Sequence, residues 1–175
     1  MNSLRIKFIT AGLLVCFVAL TADAQDVKSP GKEITIETHE TAAVLAVAES
    51  ALAAISNEDA IALTDLMVDE AQLFPTFKRD GVAGYGARTR DSQRSQQFEQ
   101  EIEERGWDPE VKISGTVAMV WFPYDLYIDG KWSHCGVDVF TIVRVKSDWK
   151  IASMAWSTEQ PPACEPHPNG PPGAR

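Results

Sequence analysis

Between Thr41 and Ile55 the run TAAVLAVAESALAAI places Val44, Leu45, Ala48, Leu52 and Ile55 on one helical stripe, in an alanine-rich setting that favours helix. Ser56-Asn57 interrupts it, and EDAIALTDLMV resumes the helical period with Ile61, Leu63, Leu66 and Met67 as the buried set. AQLFPTF, from Ala71 to Phe77, reads as a short edge strand, because Pro75 has no N–H to give a ladder. Residues 78–90 are rich in Gly and Arg and read as loop. Asp91 or Ser92 then caps a polar helix that Gly106 ends. Its only apolar positions, Phe98 and Ile102, suit a lid lying lightly on the rest.

Beyond Trp107 the period changes to two. EVKISGTVAMVWFPYDLYI, KWSHCGVDVFTIVRVK and WKIASMAWS are β-rich runs divided by Asp129-Gly130 and Ser147-Asp148. Asp-Gly between such runs signals a two-residue hairpin turn. Helices followed by an antiparallel meander predict an α+β domain over 41–158. A flexible segment (25–40) is expected before it. After it comes an irregular tail from Glu159, which holds six of the ten prolines.

The hairpin carries the chemistry. With Asp129-Gly130 as the turn, facing residues have numbers that sum to 259, so Tyr127 faces Trp132, Asp125 faces His134, Pro123 faces Gly136 and Trp121 faces Asp138. In this register those residues share one face, while Phe122, Tyr124, Leu126, Ser133, Cys135 and Val137 share the other, drier face against the helices. His134 and Asp138 are four residues apart on one strand, roughly 13 Å, too far to act as a pair. Asp125 is the acid within reach of His134, since facing Cβ atoms lie about 5 Å apart. Its charge would raise the histidine pKa. Bracketed by Trp121, Tyr127 and Trp132, the two residues read either as a general base with its orienting acid or as a cross-strand hydrogen bond on an exposed or dimer face.

The N-terminus adds a compartment. Arg5 and Lys7 precede an uncharged run, Phe8–Leu20, and Ala22-Asp23-Ala24 follows as a cleavage pattern. Residues 1–24 are therefore expected to be a signal peptide, with a periplasmic or secreted chain starting at about Gln25. That run is too short to span a bilayer comfortably, and charges interrupt every later apolar stretch, so no membrane partner is expected after cleavage. Cleavage leaves 151 of 175 residues, the size of one domain, and takes the net charge from −9 to −10. Such a surface repels phosphate backbones, and with no basic cluster present nucleic acid is not an expected partner.

The residues PYDLYIDGKWSHCGVD, with the later DWKI, carry a resemblance to the nuclear-transport-factor-2-like superfamily, and within it to a secreted group known as SnoaL-like or lumazine-binding. The resemblance covers Thr41 to Ser157 and departs from the group's pattern at Leu126 and at Ser147-Asp148. It implies a cone: a curved antiparallel sheet packed on N-terminal helices, often with a pocket and often dimeric. The superfamily includes ketosteroid isomerases, whose C-x-L-D-V-I-D strand is similar to Cys135–Thr141. Carried over, their oxyanion-stabilising acid falls at Thr141, their general base near Phe74-Pro75 and their tyrosine near Ala51, so that activity is not implied here.

Other sites are read from the residues alone. His39, His134, His167, Cys135 and Cys164 lack zinc-ligand spacing, so no metal or other cofactor is expected. Arg88 and Arg90 are candidates for holding an anionic ligand at a pocket rim, and Asp138 joins Trp121, Tyr127 and Trp132 as a ligand-contact candidate. A face carrying Trp121, Tyr127, Trp132 and Phe140 predicts a homodimer. Cys16 leaves with the signal peptide, and the remaining pair, Cys135 and Cys164, predicts a disulfide that pins the tail to the sheet. The leading expectation is a secreted, non-catalytic domain that binds a small molecule or a protein partner. The alternative is a pocket lyase, isomerase or cyclase using Asp125 and His134.

Overall fold

The computed structural model describes residues 30–173, with side chains from Thr38 onward. The expected signal peptide and the start at Gln25 lie outside the described residues. Helix α1 spans Pro30–Ser56. It begins well before Thr41, so the segment expected to be flexible is helical from Pro30. Val44, Ala48 and Ala51 are fully buried on its inner stripe, with Leu45, Leu52 and Ile55 packed beside them. Helix α2 covers only Ala60–Asp65, capped by Asp59, whose side chain accepts from the Ala62 N–H. Ile61 is exposed and Met67 already starts a strand, so only Leu63 of the predicted set is buried within α2.

Strands β1 (Met67–Arg79), β2 (Val82–Tyr85) and β3 (Arg88–Thr89) precede a five-residue helix α3 (Arg90–Arg94). Then come β4 (Ile102–Gly106), β5 (Glu110–Ser114), β6 (Val117–Ile128), β7 (Lys131–Val145) and β8 (Asp148–Ser157). The strand order is β2-β1-β8-β7-β6-β4, with β3 also on β1 and β5 also on β6. The pairing of β1 with β8 is parallel, so the sheet is mixed where an antiparallel one was expected. Nor is β1 an edge strand. It lies between β8 and the β2–β3 pair, and Pro75, whose carbonyl accepts from the Gly86 N–H, falls at the gap between β2 and β3. Asp80-Gly81, both with positive φ, closes a hairpin inside the supposed loop.

The predicted polar helix over 92–106 is replaced by α3, a loop and β4. The open edge of β6 accepts β4 through Ile102↔Ile128 and Glu104↔Leu126. Gly106 ends no helix. A Cβ there would meet the Phe122 ring at 2.6 Å, so this position must be glycine for the strand to pass the core. α1 lies in the concave face of the sheet over Val120, Phe122, Phe140, Ile142 and Ile151, all 3 % exposed or less. Phe122 and Phe140 stack at 5.6 Å. The result is an α+β cone.

Candidate functional site

The concave face extends past the end of α1, and that end is a pocket of about 300 Å³, at the small end of the range for ligand sites. Leu73, Leu126, Met154 and Trp156 of the sheet, with Phe98 of the loop after α3, make its apolar wall. Its polar groups are Glu104, Tyr124, His134 and Asp138, and Arg88, Gln93 and Gln96. Phe98 and Ile102 both face it, so the segment expected as a lid does border a cavity.

A single β-bulge decides which residues reach this pocket. Ile128↔Lys131 and Tyr127↔Trp132 follow the predicted register, but the next pairs are Leu126↔His134 and Asp125↔Cys135. Ser133 is the extra residue. One inserted residue inverts the parity of every side chain beyond it. Asp125 therefore faces Cys135, and His134 lies opposite Leu126 on the other face of the sheet. The expected Asp125–His134 pair does not exist. The His134 ring stands edge-on to Tyr124 at 5.8 Å, and its Nδ1 is 3.0 Å from Ser133 Oγ. Burial holds its pKa below the usual imidazole value, opposite to the direction expected from an aspartate neighbour.

The bulge also turns Asp138 inward. It faces Phe122 across β6 and Trp156 across β8 and is 3 % exposed. Glu104 reaches it from β4, and the two carboxyls share a hydrogen bond. Burial, the charge of Glu104 and that hydrogen bond push Asp138 well above the usual carboxyl range. Glu104 is pushed up to about 7 by burial, offset in part by the bond from Asp138. The pair thus shares a proton across neutral pH. No described residue donates a hydrogen bond to Asp138 Oδ2. The Tyr124 hydroxyl donates to the Ser157 carbonyl at 2.8 Å, and burial beside these two acids raises its pKa further.

The convex face serves a different purpose. Asp125 is fully buried, gripped by Arg105 Nε at 3.0 Å and Nη2 at 2.7 Å, and accepts from the His167 N–H at 2.9 Å. Arg105 Nη1 donates to the Gly170 carbonyl, and the His167 ring stands 5.0 Å from Trp107. The proline-rich tail is thereby laid over the sheet, and the expected Cys135–Cys164 disulfide is present, with Cα atoms 5.8 Å apart. The β7–β8 turn is Lys146-Ser147, one residue earlier than expected, which by itself would set residue 158 opposite Cys135. A second bulge between Thr141 and Ile142 adds one, so the partner is Glu159 and not residue 160.

The remaining candidates are dispersed. Phe140 is in the core, so the four aromatics expected on one surface do not share it. Tyr127 is 7 % exposed beneath Arg105, while Trp121 and Trp132 are half-buried on the convex side. Arg90 is held by Asp69, Asp91 and the Thr64 carbonyl, whereas Arg88 enters the pocket. Of the predicted site residues the pocket unites Arg88, His134 and Asp138. It adds Glu104, which the sequence pattern placed on a polar lid helix. The two adjacent glutamates of IEERG carry no alternation to mark one of them as inward. Among the described residues no group of three or more His, Cys, Asp or Glu is arranged to hold a metal.

No family profile matches the chain, and no curated protein matches it. Solved structures do. A nuclear-transport-factor-2-like protein with a cystatin-like fold from Novosphingobium aromaticivorans aligns at TM-score 0.58 and 12 % identity, over 75 % of this chain and 90 % of that one. A candidate scytalone dehydratase from the same organism aligns at 0.56 and 13 %, over 73 % and 89 %. A protein of unknown function from Pseudomonas putida aligns at 0.56 and 9 %, over 74 % and 94 %. The chain has the nuclear-transport-factor-2-like fold. At these identities the likeness extends to architecture only.

Proposed function

We propose that this chain binds a small, largely apolar molecule in the concave pocket, through a hydrogen bond to the Glu104–Asp138 pair. One observation carries the reading: a buried carboxyl oxygen of Asp138, in the wall of the pocket, has no hydrogen-bond partner among the described residues. Such an oxygen costs stability unless something hydrogen-bonds it. The Asp138 proton is engaged by Glu104, so the free oxygen is an acceptor, which suits a hydroxyl or other O–H or N–H donor of the ligand. Secretion belongs to the same proposal and is supported by the disulfide, which requires an oxidising compartment. So does self-association through the convex face around Trp121 and Trp132, which sedimentation at tens of micromolar (roughly the range of weak dimers) tests.

Fragment screening by saturation-transfer NMR tests the ligand reading. Fragments are expected whose signal disappears in Leu126→Trp, which fills the cavity. Fragments that bind equally to both proteins, or none at all, would refute it.

A second reading, proton-transfer catalysis, is favoured by Glu104 at about 7, where a base and its conjugate acid are both populated at neutral pH. The pocket then acts on a carbon acid next to a carbonyl: Glu104 takes the proton from carbon, and Asp138 turns its O–H from Glu104 to the enolate oxygen that forms. Asp125 has no part in it. Exchange of a bound fragment's C–H for deuterium in D2O, lost in Glu104→Gln, is the expected signature.

A further inference from the structure

We infer that the ligand of this pocket is a monoanion, an apolar molecule ending in a carboxylate, and that Arg88 is the residue that grips it. The inference rests on the pocket being a ligand site and adds the chemical class.

The protein contains its own template for the contact. Arg105 uses its Nη1 on a carbonyl oxygen and presents the Nε–Nη2 edge to both oxygens of Asp125, at 3.0 and 2.7 Å. Arg88 is held in the same way on one side only. Its Nη1 donates to the side-chain oxygens of Gln93 at 3.3 Å and Gln96 at 3.1 Å, and its guanidinium carbon lies 5.5 Å from the centre of the Trp156 ring. Its Nε and Nη2 donate to no described residue, and no carboxylate among the described residues pairs with it. Two neutral amides and an indole fix the fork without neutralising it. Gln93 is itself 5 % exposed, so this support is built into the wall. A planar fork with its bidentate edge open matches a carboxylate.

Placement separates the two ends of the ligand. Arg88 pairs with Leu73 at the β1 side of the sheet, while Trp156 lies between it and Asp138, which Trp156 faces in register. The shifts of Glu104 and Asp138 arise from burial and from each other, not from Arg88. Carboxyl pair and guanidinium come from strands on opposite sides of β8, which carries the indole, and so form distinct polar stations. With Arg88 as the one guanidinium lining the pocket, in a chain of net charge −9, a single negative charge is the charge the site matches.

Titration calorimetry at low salt with three matched pairs tests this: phenylacetate and phenylacetamide, 1-naphthylacetate and 1-naphthylacetamide, octanoate and octanamide. At least one carboxylate is expected to bind roughly tenfold more tightly than its amide. The preference should vanish in Arg88→Gln and survive in part in Arg88→Lys, which keeps the charge but not the fork. Equal binding of acid and amide, or a preference that persists in a folded Arg88→Gln, overturns the anionic class while leaving the pocket as a ligand site. Binding of no member of any pair removes the ligand-site reading and this inference with it.

Discussion

Asp125 on β6 and Asp138 on β7 are two aspartates in neighbouring strands of one sheet, 0 and 3 % exposed. Asp125 receives two hydrogen bonds from Arg105 and one from the His167 N–H. Asp138 receives none; it keeps its own proton and donates it to its fellow acid Glu104. Burial is the same in both places, and the partner supplied makes the difference. A buried carboxylate with its arginine is a structural clamp, here one that also secures the tail. A buried carboxyl without a cation becomes an acid whose hydrogen-bonding capacity is left for something else.

The most severe test of that contrast removes the cation. Arg105→Gln leaves the Asp125 charge buried and unpaired, and should cost about 3–5 kcal/mol in urea unfolding. Asp138→Asn removes no cation's partner and should cost less than about 1 kcal/mol at neutral pH, well inside the range of ordinary substitutions. Equal losses would erase the distinction between the two sites.

Next in size is the disulfide. It closes a loop with a sequence separation of 29, so replacing Cys135 and Cys164 by Ser should cost about 3.5 kcal/mol in the chain-entropy account. The tail should then lift from Asp125, seen as faster amide exchange at His167. An unchanged unfolding midpoint and unchanged exchange would mean that the Arg105 contacts alone hold the tail.

The smallest effect is a pH dependence confined to the pocket. Glu104 has a folded pKa of about 7 against an ordinary value of 4.5, so the folded state binds more protons between those limits. Stability from this group is therefore present at acid pH, falls as pH rises from 4.5 through about 7, and is level above. Glu104→Gln is neutral at every pH. The stability difference between wild type and variant should change by on the order of 3 kcal/mol across that window. Parallel stability curves for the two proteins would show that the carboxyl pair is not strained by its burial.

Much of the scaffold was legible because it depends on local chemistry. The stripe of α1 follows from alanine and leucine spacing, and the β6–β7 turn from Asp129-Gly130, whose residues both take positive φ. Asp80-Gly81 closes the β1–β2 hairpin with the same pair, inside a stretch whose Gly and Arg content reads as loop and whose strand β2 is only four residues long. The strand β4 was not legible. Ile102–Gly106 has helix-forming residues and becomes a strand because the edge of β6 offers it hydrogen bonds.

The sequence by itself determined the α+β order of the elements, an acidic chain, and a cysteine pair placed to bridge. These rest on composition, periodicity and short-range turns, which do not change when the chain folds. Tertiary structure alone decided which face each residue of β7 would join. Alternation along a strand is read relative to a register, and one unpaired residue at Ser133 reverses it. That residue sent His134 and Asp138 into the pocket and left Asp125 to Arg105. No local pattern marks it, because a bulge settles where the two faces of a sheet find their partners, and those partners come from β4, β8 and the tail.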